Sequence, residues 1–171
     1  ELLSSPSTLS ALIQLKLIQI LSTCAGANGM GAGQSLDMLS EGKKLSEKEL
    51  THIHLLKTGT LIKASVIMGA IAAGCDDAQT LKMLEQFADQ VGLAFQLQDD
   101  LLDMIGDVEK TGKNTRQDIH HQKATFATIL GVDATRHKIS VLMQSAKNIL
   151  RTLRCDAEFL LAFCETLETR V

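Results

Sequence analysis

Phe95-Gln96-Leu97-Gln98-Asp99-Asp100-Leu101-Leu102-Asp103 places three carboxylates and a glutamine inside a run otherwise built like a buried helix. Apolar residues recur upstream at Leu81, Leu84, Ala88, Val91 and Phe95, and a second stripe runs Leu93, Leu97, Leu101, Met104. Both stripes have helical spacing. A helix apolar on two sides packs within a bundle, so this stretch argues for an all-α fold. At roughly 100° per residue, Gln96, Asp99, Asp100 and Asp103 fall within an arc of about 100°. One face of a core helix therefore carries clustered negative charge. Buried charge is costly unless it is paired or bound to a cation. A hard divalent ion, Mg²⁺, is the natural partner for carboxylates that also hold a phosphate. A solvated acidic helix end is the competing reading, and the apolar flanks count against it.

Outward from this helix the chain is also helical, with a single proline, Pro6, and little β-branched alternation. The pattern predicts about seven helical segments. One runs from Thr8 to Cys24, capped by Ser7 and stopped by Gly26; a second, from Gly29 to Ser40, is rich in small residues that allow close approach. Ser46 with Glu49 forms a capping box that opens a helix to about Ala73. Gly74-Cys75-Asp76-Asp77 is a turn, and the carboxylate helix spans Ala78 to Ile105, ending at Gly106. A polar loop from Asp107 to Gln122 follows, then helices over Ala124–Leu130, Ala134–Leu153 and Ala157–Thr169.

The 171 residues carry a net charge of -3, with 45% apolar and 22% charged, enough for one domain with its own core across 1–171. The mildly acidic balance and the lack of Trp and Tyr argue against nucleic acid. Cys24, Cys75, Cys155 and Cys164 have no C-x-x-C spacing, so reduced and mostly buried thiols in a cytoplasmic protein are expected. No run of about 18 uncharged apolar residues predicts a membrane span. The methionines 30, 38, 68, 83, 104 and 143 are expected to fill core gaps. His52 and His54, at i and i+2, point to different helix faces, and His120-His121 read as loop histidines.

Two weaker signals accompany the carboxylates. Lys57-Thr58-Gly59-Thr60 sits in the middle of a helix among Leu55, Leu56, Leu61 and Ile62, where a lysine could point into a cavity. An ammonium is a compact charge suited to phosphate. The loop Gly112-Lys113 through Asp118 to Lys123 could close over an anion. Carboxylates holding Mg²⁺, Mg²⁺ holding a diphosphate and lysines neutralising the remainder would together help a diphosphate leave. An apolar helical cavity would shelter the hydrocarbon and its cation from water.

Four segments in order resemble the trans-prenyltransferases, the farnesyl diphosphate synthase type in particular. Phe95-Gln96-x-x-Asp99-Asp100-x-x-Asp103 is similar to the family's second aspartate-rich motif. Gly29-Met30-x-x-Gly33-Gln34-x-x-Asp37, His54-x-x-Lys57-Thr58-Gly59 and Gly112-Lys113…Asp118…Lys123-x-Thr125 resemble three further segments of that family. The resemblance implies an all-α bundle of the isoprenoid synthase type, lacking here its N-terminal helices. It implies Mg²⁺, with Mn²⁺ as an alternative, held by Asp99 with Asp100 and Asp103. Lys57, Lys113 and Lys123 would bind the allylic diphosphate. Thr58 and Gln96 would face the allylic cation, with Gln34 and Asp37 in support. The implied reaction condenses isopentenyl diphosphate head-to-tail with dimethylallyl or geranyl diphosphate to give farnesyl diphosphate. A homodimer packing near the first two helices is also implied.

Arg116 and Phe126-Ala127 depart from the family pattern, and the first aspartate-rich motif is absent from these residues. Asp76-Asp77 does not supply it, since no carboxylate follows at the required spacing. The chain starts Glu1-Leu2-Leu3 and reads as the C-terminal portion of a longer synthase, inactive by itself. Geranyl and geranylgeranyl diphosphate synthases remain alternatives. So does a non-catalytic regulatory subunit, against which the retained second motif and lysines argue. A terpene cyclase would place a hydroxyl residue where Asp103 stands and a Glu where Asp107 stands.

Overall fold

The computed structural model describes residues 2–5, 7–110 and 124–170, with the backbone alone at 2 and 105–110. Among them are no strands and eight α-helices: α1 (Ala11–Ala25), α2 (Met30–Leu39), α3 (Glu47–His54), α4 (Thr60–Ala72), α5 (Ala78–Lys110), α6 (Phe126–Leu130), α7 (Val132–Thr152) and α8 (Glu158–Glu168). The all-α expectation holds. A short 3₁₀ turn at Leu2–Ser4 precedes α1, and a π turn at Leu55–Gly59 joins α3 to α4 without a break.

The helix ends follow local chemistry. Ser46 accepts from Glu49 N while the Glu49 side chain returns to the Ser46 backbone, the expected capping box. Asp77 accepts from Thr80 N at 2.7 Å and opens α5 after the 74–77 turn. The cap of α1 is Ser10 rather than Ser7: Ser10 Oγ accepts from Ile13 N, whereas Ser7 Oγ accepts from Leu9 N in the lead-in. Gly106 does not end α5, which continues to Lys110. An interior glycine costs a helix only about 1 kcal/mol, which a helix of 33 residues absorbs.

The centre of the bundle is α5, packed against α4 and α7, with α3 and α6 at its carboxylate end. Its Phe87, Val91, Leu97 and Leu101 are buried in the main core with Met143 and Leu150 of α7. Helix α7 is amphipathic, burying Thr135, Ile139, Met143, Ala146 and Leu150 at helical intervals. A second core joins Leu17 of α1, Ile67 and Ile71 of α4 and Leu84 of α5. Buried Gln98 turns away from the carboxylate face and donates to Leu167 O at 2.7 Å, tying α8 to α5.

Three expectations about side chains change. Met143 is fully buried, but Met30, Met38 and Met104 are exposed, because α2 and the open end of α5 meet no packing partner in this chain. All four cysteines are free as expected, yet only Cys164 is buried and Cys155 is exposed. The helical run 47–72 is long and apolar enough, by length and composition, to cross a membrane, which counting only uncharged runs had missed. Its Leu50, Ala64 and Ile67 are buried in the bundle, and its Lys63 pairs with Asp89 of α5 at 2.7 Å.

Candidate active site

The π turn is held between two helices by two glycines. A Cβ on Gly33 of α2 would lie 2.2 Å from the Lys57 backbone nitrogen, so only glycine permits this approach. One turn further along α2, Asp37 Oδ2 meets Lys57 Nζ at 2.6 Å. From the other side, a Cβ on Gly92 of α5 would lie 2.9 Å from Gly59 Cα. One turn further along α5, Gln96 Oε1 accepts from Thr58 Oγ1 at 2.9 Å. Each helix thus uses a glycine to approach and a polar residue at i+4 to lock the turn.

Beside the turn lies a cavity of about 360 Å³ walled by Leu61 and Ile62 of α4, Val91 and Phe95 of α5, and Phe163 and Leu167 of α8. Lys57 and Thr58 are its only polar lining residues. Along α5, Val91, Phe95, Asp99 and Asp103 follow at successive i+4 positions, so a single stripe passes from apolar wall to carboxylates. A larger, open groove of about 690 Å³ along α7, from Ser140 to Thr152, has no charged side chain.

The predicted residues divide. Lys57, Thr58, Gln96, Asp99 and Asp103 come together at one end of the cavity, although Gln96 stands behind Thr58 and not on the cavity wall. Asp100 departs from the expected set of metal ligands. Its carboxylate is buried, with Oδ2 accepting from Phe126 N at 3.1 Å and lying 3.6 Å from His54 Nε2, while Oδ1 faces Gln96 Nε2 at 3.5 Å. Those partners occupy it in tying α5 to α3 and α6. Gln34 is exposed on α2, away from the Gly33 and Asp37 contacts. Lys113, Lys123, Arg116, Asp118 and His120-His121 lie outside the described residues, as does the side chain of Asp107.

Sequence reasoning missed Arg170. Its guanidinium pairs with Asp99 Oδ1 at 3.0 Å and lies over the Phe95 ring, 4.6 Å from the centroid. An arginine 71 positions away carries no local signal of that contact. Phe163 and Leu167 were also missed as cavity walls, since a helix-period apolar residue reads as ordinary core. Buried His54 separates from exposed His52, as predicted, but its ring nitrogens have no hydrogen-bond partner among the described residues.

Among the described residues no group of three or more His, Cys, Asp or Glu could hold a metal ion unaided. The donor set that exists, Asp99 and Asp103 one helical turn apart, fits Mg²⁺ in its usual manner. That ion is bound through one or two carboxylates and keeps its other positions for water and phosphate oxygen.

An all-α bundle with lysine, carboxylates and an apolar cavity at one end is the architecture of a prenyl-diphosphate-handling protein. The chain belongs to the polyprenyl synthetase family, whose sequence model matches residues 3–154. It is 40% identical to the farnesyl diphosphate synthase of Geobacillus stearothermophilus over 158 residues, which cover 92% of this chain and 53% of that enzyme. It is 39% identical to the farnesyl diphosphate synthase of Escherichia coli over 140 residues, 82% of this chain and 47% of that enzyme. The crystal structure of a Helicobacter pylori geranyltransferase, complexed with magnesium and isoprenyl diphosphate, superposes with a TM-score of 0.81 at 36% identity, covering 98% of this chain and 55% of that one. The chain spans about half the length of the curated relatives it matches.

Proposed function

We propose that this chain forms the allylic-diphosphate half of a farnesyl diphosphate synthase, a prenyltransferase that joins isopentenyl diphosphate head-to-tail to dimethylallyl or geranyl diphosphate. The stripe Val91–Phe95–Asp99–Asp103 carries the proposal, because it sets an apolar wall and a carboxylate pair end to end on one helix. The cavity receives the hydrocarbon, and Lys57 Nζ neutralises the diphosphate. Asp99 and Asp103 hold Mg²⁺, which offsets the charge that builds on the departing diphosphate. The allylic C–O bond breaks with its electron pair leaving on the diphosphate. The cation left behind lies beside the Thr58 oxygen. The isopentenyl double bond attacks it, and loss of one proton restores neutrality.

Lys113 and Lys123 are proposed as further diphosphate ligands on the strength of the sequence pattern. Asp100 is proposed as a structural carboxylate instead of a ligand. Turnover is proposed for a protein that also contains a first aspartate-rich segment; these 171 residues are expected to bind the allylic diphosphate without converting it. We further propose that Leu12 and Leu15 of α1, 78% and 63% exposed, are covered by a second copy of the protein.

Calorimetric titration with a non-ionisable thiolo analogue of dimethylallyl diphosphate, with and without Mg²⁺, tests the reading. Saturable Mg²⁺-dependent binding is expected, weakened about ten-fold or more in Lys57→Met. Equal affinity in the two proteins would overturn the assignment.

A further inference from the structure

Thr58 is the one residue that presents an oxygen side chain to the cavity, and which way its hydroxyl points is settled two residues away. Gln96 can accept from Thr58 through Oε1 or donate to it through Nε2. If the amide were flipped, its carbonyl oxygen would face Asp100 Oδ1, and two acceptors would repel. With Nε2 toward Asp100, as observed at 3.5 Å, Oε1 is left for Thr58, and Thr58 must donate its proton. Asp100 cannot turn aside, because Oδ2 is held by Phe126 N–H and packed beside His54. A hydroxyl that donates away from the cavity offers it only lone pairs.

We propose that Asp100 and Gln96 are positioning residues of a directed hydrogen-bond chain, Asp100 to Gln96 to Thr58, that gives the cavity a preference for a positively charged centre on a hydrocarbon. This rests on the cavity being the prenyl pocket. It gives the buried second carboxylate of the motif a task distinct from metal binding.

The test compares two probes of equal shape: a ten-carbon chain ending in dimethylammonium and the same chain ending in neutral isopropyl. Binding is followed by NMR shifts of Phe95 and Phe163. The wild-type protein is expected to prefer the ammonium. In Asp100→Asn the side-chain amide can donate to Gln96, reversing the chain, and the preference falls roughly ten-fold while the neutral probe stays within about two-fold. Loss of the Asp100 charge would weaken cation binding by itself, so two variants leave that charge in place. Gln96→Met and Thr58→Val are expected to lose the preference as well. In the Gln96→Met background, Asp100→Asn is expected to add nothing further.

Retained preference in Gln96→Met and Thr58→Val would overturn the chain in favour of direct attraction by Asp100. Equal losses for both probes would reduce the three residues to packing and overturn it too. If neither probe bound wild-type protein, the pocket reading itself would fall; if both bound without preference, only the chain would.

Discussion

At Gly33 a single hydrogen atom decides whether the site assembles. The missing Cβ lets α2 touch the Lys57 backbone and carries Asp37 to the lysine ammonium. Gly33→Ala is expected to cost about 2 kcal/mol, read as a lower urea midpoint, because backbone rather than a flexible side chain blocks the new methyl. The same variant should weaken diphosphate binding by displacing Lys57. Cys164 makes a second residue-level case. Burial, reinforced by Glu168 and Glu165 and opposed by Lys147, pushes its thiol from 9.0 up to about 11. At pH 8, iodoacetamide should label Cys155 and leave Cys164 intact, as mass spectrometry of the peptides would show. The folded state holds that proton more tightly than the unfolded chain does. The stability it contributes is full below pH 9 and is lost as pH rises toward about 11, on the order of 2 kcal/mol.

Among the elements, α3 depends on its cap. Ser46→Ala should cost about 1 kcal/mol and lower Tm by a few degrees, measured by circular dichroism. Ser46 also lowers the pKa of Glu49, as Thr80 does for Asp77. Both contributions are present above the ordinary carboxylate range and disappear as pH falls through the lowered folded values. Thermal melts between pH 7 and pH 3 should show that decline. The capping box was legible because three adjacent positions determine it, and the stripes of α5 were legible because burial follows helical period. The Ser7 assignment failed because two serines three positions apart satisfy the same local rule, and only the packed lead-in chooses Ser10. The π turn was illegible because its cause lies in α2 and α5, which grip it through Gly33 and Gly92.

Over the whole molecule, the family and the helical class could be read from four short segments in order. What escaped were contacts between distant parts: Arg170 on Asp99, Phe163 on the cavity, and Asp100 turned to Phe126. None leaves a periodic mark, since each joins elements far apart in sequence. The exposed Leu12 and Leu15 belong to this scale. Sedimentation is expected to show a dimer, and Leu12→Glu with Leu15→Glu a monomer of unchanged helicity. The π turn also bears on what this gene can lose. It is a helix carrying one residue more than α winding needs. Removing a single codon between Leu55 and Gly59 would let 47–72 wind as one ordinary helix and rotate its two halves relative to each other by about 100°. Leu50 and Ile67 could not then both keep their places inside. A deletion that exposed loops tolerate without penalty would here disconnect lysine from carboxylate, so this stretch of the reading frame has almost no slack in length.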